Sequence, residues 1–220
     1  MSTTDRRQRH RASLRREILD AASQLFVEEG YDRLTMRRLA ERIEYSPTTI
    51  YLYFKDKHEL LGAVCEETFS RLAAKLERLQ KTAGTPMGYL RDSLRTYIEF
   101  GLAHPNQYLV TFMSPSPGLE GEAFEGSPGS RAFDTLRQGV RACAEHGDIH
   151  APNIDMTAQA LWAAVHGTTA LFITMKGFPF VPRAALVDHL IDTLMAGLKT
   201  PVVAPKTPVQ AQSKKWDFYD

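Results

Sequence analysis

Cysteine is scarce in this chain of 220 residues, and no segment is apolar enough to cross a membrane. Two cysteines, Cys65 and Cys143, are too few for a disulfide framework, and their apolar surroundings predict buried free thiols. The longest apolar candidate, residues 158–175, is interrupted by His166 and Gly167, whereas a span needs about 18 apolar residues. The basic N-terminus lacks the apolar segment of a signal peptide. We therefore expect a soluble, cytoplasmic protein.

Signatures of catalysis and metal binding are also missing. The sequence contains no Ser–His–Asp set with supporting spacing, no glycine-rich phosphate loop and no zinc-ligand spacing. His146 and His150 are four residues apart, but Gly147 between them is expected to end a helix. No enzyme activity, metal site or cofactor is therefore predicted.

The chain has almost no excess of positive or negative charge overall, but positive charge is concentrated at the N-terminus. The whole chain has a net charge of +1, while residues 1–16 hold six arginines and one aspartate, for a net charge of +5. Such a basic arm on a neutral protein indicates an anionic partner.

Period-two alternation is absent, and nearly every segment has helical periodicity instead. We predict an all-α protein of about nine helices, with an N-terminal three-helix bundle followed by a larger helical domain. The predicted domains are residues 1–55, with the basic arm, and residues 56–199. Residues 114–130 predict a mobile loop, and residues 200–220 a disordered tail.

Two short helices are predicted at residues 35–43 and 47–53, joined by a tight turn. Thr35 and Ser46 are suitable N-caps, and Pro47 suits the first position of a helix. Two such helices fit a helix-turn-helix, whose second helix lies in the major groove of DNA.

The second short helix carries hydroxyls and aromatic rings in place of ordinary surface residues. Ile50 and Phe54 are four apart and are expected to anchor the helix to the core. Thr48 and Thr49 lie in its first turn, where a hydroxyl or methyl group can reach a base edge. Other residues are predicted to contact the DNA backbone through hydroxyls, cations or backbone N–H groups. They are Thr35, Tyr51, Tyr53, Lys57, Arg9 and Arg11. A protein contact by the same helix is the alternative.

The segment TMRRLAERIEYSPTTIYLYFKDKHELL, residues 35–61, closely resembles the DNA-binding signature of TetR-type repressors. The matching positions are Thr35, Ala40, Ser46, Tyr51, Phe54, Lys57 and Leu60, within a resemblance that covers residues 12–62. Ser46 is accordingly added to the predicted DNA-binding residues. Glu44 departs from the pattern, since the family usually has glycine there. It must adopt a left-handed conformation or the turn must differ.

The resemblance implies a ligand-responsive repressor that binds a palindromic operator as a homodimer. Its implied partners are double-stranded DNA, a second copy of the chain and an unknown, largely apolar small molecule. The segment LWAAVHGTTALF, residues 161–172, also resembles the W–H–G pattern of one subgroup of TetR-like C-terminal domains. A DNA-binding regulator without an effector and a small all-helical enzyme are the alternatives.

Two apolar faces in the C-terminal half could form the dimer interface or pack inside the subunit. The predicted eighth helix, which Asn153 can cap, has a seam of small residues, and the predicted ninth helix, which starts at Pro182, has an aliphatic stripe. The predicted interface residues are Ala163, Gly167, Ala170, Thr174, Ile191 and Leu194.

Aromatic and histidine side chains in the same half could line an effector pocket or belong to the core. Trp162 and His166 are four residues apart and share a helix face. The predicted pocket residues are Phe100, His104, Tyr108, Phe112, Trp162 and His166.

Overall fold

The computed structural model describes residues 3–113 and 125–199. In those ranges all regular secondary structure is helical, which confirms the predicted all-α fold. The nine helices are α1 Thr3–Glu29, α2 Met36–Arg42, α3 Pro47–Tyr51, α4 Lys57–Thr82, α5 Pro86–Ala103, α6 Pro105–Met113, α7 Pro128–His146, α8 Ile154–Thr174 and α9 Arg183–Leu198. None of these helices is long and apolar enough to span a bilayer.

The described residues form two compact units. Residues 3–69 and 104–113 belong to the first unit, and residues 70–103 and 125–199 to the second. The helix α4 therefore contributes to both units, and α6 belongs to the first. The predicted domain boundary after residue 55 stays a prediction. The predicted tail and most of the predicted mobile loop lie outside the described residues.

The helix α1 begins at Thr3. Arg9 and Arg11 of the predicted basic arm therefore lie on a helix. The physical reason is that residues 3–13 contain neither glycine nor proline and include several good helix formers. Residues 5–13 are exposed, and burial begins at Leu14.

Each helix of the first unit contributes at least one fully buried aliphatic residue to the core. Ile18, Leu39, Ile50 and Leu60 come from α1 to α4, and Val110 comes from α6. Burying a side chain of this size stabilises a fold by about 1.5–3 kcal/mol. The very short α3 is thus held by tertiary packing, since five residues are too few for a stable isolated helix.

The second unit is built around α5, which packs against α7 and α8. A Cβ atom on Gly139 of α7 would lie 2.8 Å from the Tyr89 ring, so glycine allows this close approach. Tyr89 donates a hydrogen bond to the Thr135 carbonyl at 3.2 Å. Ion pairs between Arg91 and Asp192 and between Arg95 and Asp188 link α5 to α9.

Both cysteines are buried thiols, as predicted. Burial raises the pKa of the Cys143 thiol to about 11, with a smaller contribution from Asp148. At neutral pH this side chain therefore behaves as a small apolar core residue.

Candidate nucleic-acid interface

The helix α2 begins where the sequence predicted, because Thr35 caps it. The Thr35 hydroxyl oxygen accepts a hydrogen bond from the Arg38 backbone N–H at 3.2 Å. Met36, Leu39 and Ala40 are buried, while Arg37 on the other side is exposed. The cap fixes the start of α2 and leaves the Thr35 side chain at the surface.

Between α2 and α3 the chain turns through a left-handed residue. Glu44 has φ of 58°, and it is the one non-glycine residue with positive φ in the described ranges. The Tyr45 N–H donates to the Ala40 carbonyl at 2.9 Å, which closes the turn. Of the two alternatives, Glu44 therefore adopts the left-handed conformation, and the turn keeps the conformation that glycine would supply.

Replacing Glu44 by glycine is expected to stabilise the first unit. A side chain in the left-handed region costs about 1–2 kcal/mol, part of which is offset by the greater unfolded-state freedom of glycine. We expect a net gain of about 0.5–1 kcal/mol in the free energy of unfolding, measured by urea titration. Glu44→Gln is the control, since it removes the charge but keeps the strain. Equal stability of the two variants would contradict the strain account.

The helix α3 also begins at its predicted cap. The Thr49 N–H donates to Ser46 Oγ at 3.2 Å, and the two hydroxyl oxygens lie 2.9 Å apart. Pro47 occupies the first turn. The hydroxyl of Thr49 is thus engaged with the cap, and its side chain is half-buried. Ser46 and Thr49 were both predicted to contact DNA, and the structure gives them a part in starting the helix.

The two sides of α3 differ sharply in exposure. Ile50 is 0% exposed and Phe54 3%, so the predicted anchors do face the core. Thr48 is exposed, Tyr51 is 55% exposed and Leu52 is 72% exposed. Sequence reasoning missed Leu52, although its spacing of four residues from Thr48 could have placed it on the same face.

Arginines of α1 lie beside the end of α3. The guanidinium carbon of Arg11 is 5.8 Å from the centroid of the half-buried Tyr53 ring. Arg15 lies 5.4 Å from the Phe54 ring and forms an ion pair of 3.0 Å with Glu67. The structure therefore brings together two predicted phosphate contacts, Arg11 and Tyr53, from separate helices.

Lys57 begins α4 and holds the loop after α1. Its Nζ donates to the Tyr31 carbonyl at 3.1 Å and lies 3.9 Å from the Tyr31 ring centroid. An ammonium group has three donors, so one such bond leaves capacity for a phosphate oxygen. Lys57 is half-buried beside the start of a 26-residue helix, whose N-terminal dipole favours an anion.

The six predicted pocket residues do not all lie in one unit. His104, Tyr108 and Phe112 belong to the first unit, where the Phe112 ring packs on Tyr108 at 4.8 Å and on Phe69 at 5.4 Å. Phe100, Trp162 and His166 belong to the second. Their common role in binding an effector stays a prediction.

In the second unit, Tyr97 connects Trp162 and His166. The Trp162 indole N–H donates to the Tyr97 hydroxyl at 3.2 Å, and that hydroxyl lies 3.0 Å from His166 Nδ1. Burial lowers the pKa of His166, which favours its neutral imidazole. A separate open cavity of about 480 Å³ includes none of the predicted pocket residues. It is lined by Met87, Gly88, Arg91, Asp192, Met195, Ala196 and Lys199.

The predicted small-residue seam of α8 lies on the surface of the subunit. Ala163 and Thr174 are exposed, and Gly167 and Ala170 are half-buried. Ile191 of α9 is 0% exposed within the subunit, and its part in an interface stays a prediction. It packs in the subunit core with Val187 and Met195, because this stripe of α9 faces inward. Leu194 is half-buried on a neighbouring side of the helix.

Two models of one protein family match most of the described chain. The model for bacterial regulatory proteins of the tetR family matches residues 18–64, and the tetracyclin repressor-like C-terminal domain matches residues 90–194. The first unit contains the parts of a helix-turn-helix: the capped α2, the tight turn and the half-exposed α3. This motif is typical of DNA-binding proteins. The chain belongs to the TetR family of DNA-binding transcriptional regulators.

Two curated relatives match over part of the chain. The HTH-type transcriptional repressor Rv1474c of Mycobacterium tuberculosis is 44% identical over 91 residues, which cover 41% of this chain and 46% of that protein. KstR of Mycolicibacterium smegmatis is 38% identical over 72 residues, 33% of this chain and 35% of that protein. The chain thus spans less than half the length of these relatives.

A solved structure shows the same fold over most of the chain. The fatty acid degradation regulator FadR from Bacillus halodurans is 20% identical, with a TM-score of 0.71 over 84% of this chain and 96% of that one. The C-terminal match is to a tetracyclin repressor-like domain, and membership of the W–H–G subgroup stays a prediction.

Proposed function

We propose that this chain is a cytoplasmic repressor that binds a palindromic operator as a homodimer and responds to a small molecule. The observation that carries the proposal is the exposed face of α3, with Thr48 and Tyr51 directed outward from buried Ile50 and Phe54. Hydroxyls and rings on such a helix can reach base edges and phosphates. The curated relatives Rv1474c and KstR are named as transcriptional repressors, which supports repression.

The homodimer is supported by the exposed surface of α8. Met156 and Leu171 on this helix, and Met175 at its C-cap, remain between 38% and 49% exposed, alongside the small residues Ala163 and Gly167. Within residues 3–113 and 125–199, and apart from the adjacent helix backbone, no atom lies within 4 Å of a Cβ atom built on Gly167, so these residues give no packing reason for a glycine there. An uncovered apolar stripe with small residues suits close approach of a second copy.

The effector is proposed to be a largely apolar molecule bound among the helices of the C-terminal half. One structure of similar fold is that of FadR from Bacillus subtilis in complex with stearoyl-CoA, a ligand with a long apolar chain. The helix α4 contributes residues to both units, so displacement of its second half would move Lys57 at its start. A ligand can shift DNA binding only through different affinities for the two arrangements.

A regulator without an effector is the second candidate. The hydrogen bonds that join Trp162, Tyr97 and His166 give these residues a packing role that needs no ligand. Operator affinity that stays constant across a panel of fatty acids and acyl-CoA thioesters would favour this candidate.

Selection of bound DNA from a random pool tests the proposed function. The expected result is a two-fold symmetric site whose half-site centres lie about 34 Å apart, one turn of the duplex. Recovery of no preferred sequence would contradict operator binding, and recovery of one asymmetric site would contradict the symmetric homodimer.

Replacing Lys57 by alanine is expected to weaken binding to all DNA sequences about equally. Loss of one phosphate contact lowers the slope of log affinity against log salt by about 0.9 for each half-site. Lys75→Ala is the matched control, since Lys75 is an exposed lysine further along α4. Fluorescence anisotropy on selected and scrambled DNA at several salt concentrations measures both effects. A change in sequence preference would show that Lys57 reads bases.

A further inference from the structure

The segment around α3 has no charged or amide side chain. Residues 45–54 read YSPTTIYLYF and contain no arginine, lysine, asparagine, glutamine, aspartate or glutamate. Arginine or lysine reads guanine, and asparagine or glutamine reads adenine, through paired hydrogen bonds in the major groove. This helix therefore lacks the side chains for both of the common paired base contacts.

Burial and capping further reduce the number of α3 side chains that could contact a base. Ile50 and Phe54 face the core, and the Thr49 hydroxyl is engaged with Ser46 at 2.9 Å. Tyr51 is also exposed, and it is a predicted phosphate contact. Thr48 and Leu52 are exposed as well, and the Leu52 N–H donates to the Thr48 carbonyl at 3.2 Å. These two side chains offer a methyl group and an isobutyl group to a ligand.

The surroundings of α3 supply charge where the helix itself has none. Arg37 of α2 is exposed and forms an ion pair of 3.1 Å with Glu41, and Lys55 is exposed just beyond α3. Cations beside an uncharged, apolar face suit a polyanion whose charged backbone borders an apolar feature. In the DNA major groove, the apolar feature of the base edges is the 5-methyl group of thymine.

We propose that α3 recognises its operator chiefly through apolar contacts of the Thr48 methyl group and the Leu52 side chain with thymine 5-methyl groups. The inference rests on the proposed function and specifies which base feature the site reads. It makes Leu52 a specificity-determining residue and predicts thymine at the positions that face α3 in each half-site.

The test uses the full chain and the DNA site selected from a random pool. Each thymine is replaced in turn by deoxyuridine, which removes the methyl group and keeps base pairing. A buried methyl group contributes about 0.8 kcal/mol, so one replacement should weaken wild-type binding about fourfold, and one in each half-site about fifteenfold. With Leu52→Ala or Thr48→Ser, the replacement opposite the altered residue should have little further effect.

Matched variants separate the methyl contact from other roles. Thr48→Val keeps a methyl group and removes the hydroxyl, so it should retain the sensitivity to deoxyuridine that Thr48→Ser loses. Leu52 is 72% exposed, so Leu52→Ala should unfold at the same urea concentration as the wild type. Arg37→Ala should leave the deoxyuridine effect unchanged.

Two results would overturn the inference in distinguishable ways. Equal deoxyuridine losses in the wild type and in both the Leu52→Ala and Thr48→Ser variants, or no loss in any protein, would exclude methyl recognition while operator binding stands. A pool without any preferred sequence would overturn the proposed function together with this inference.

Discussion

Replacement of Ile50 by alanine is expected to lower the free energy of unfolding of the first unit by about 2–5 kcal/mol. Ile50 is 0% exposed and packs in the core shared by α1 to α4 and α6. Because α3 has only five residues, its position depends on that contact. We therefore expect loss of sequence-specific DNA binding as well as lower stability.

The neighbouring leucine supplies the control for Ile50. Leu52→Ala removes a similar aliphatic group from an exposed position, so its effect on stability should stay within about 0.5 kcal/mol. Urea titration measures the stability of both variants, and hydrogen exchange of residues 45–54 locates the loss. Equal stability of the two variants would show that α3 is not anchored through Ile50.

Replacement of Ala163 by glutamate is expected to weaken self-association at least about 100-fold. Ala163 is exposed within the subunit, so the change should leave the subunit fold intact. In the proposed dimer it would bury a carboxylate without a partner, at a cost of several kcal/mol. Each 1.4 kcal/mol changes an association constant tenfold. Operator affinity should fall when dimerisation is weakened, because the two half-sites are then no longer bound together.

Sedimentation at a series of concentrations measures this effect. Ala103→Glu is the matched control, since Ala103 is an exposed helical alanine outside the α8 stripe. It should associate like the wild type. If the Ala163→Glu variant also associates like the wild type, the dimer does not use this face of α8.

Local chemistry explains why α2 and α3 could be placed from the sequence. Thr35, Ser46 and Pro47 act on the N–H groups or backbone angles of their own helix, so their residue types alone predict where the helix begins. The spacing of Ile50 and Phe54 likewise predicted the buried side of α3. Glu44 shows the limit of this reasoning, because an unusual residue in the turn left two conformations open.

Features that depend on tertiary packing could not be predicted in the same way. An aliphatic stripe on α9 does not show whether Ile191 faces the core or a second subunit. Tyr97 is an unremarkable tyrosine in the sequence until folding brings it to Trp162 and His166. The basic N-terminal segment lacks helix breakers, and charge alone could not distinguish an extended arm from the first turns of α1.

Photocrosslinking from α3 tests most directly whether its exposed face lies against DNA. Benzoylphenylalanine is introduced at Leu52, or at Lys75 as an exposed control in the same subunit, and each protein is irradiated on the selected site. The account predicts crosslinks to the DNA from position 52 and none from position 75. Bound DNA that forms no crosslink from position 52 would contradict it.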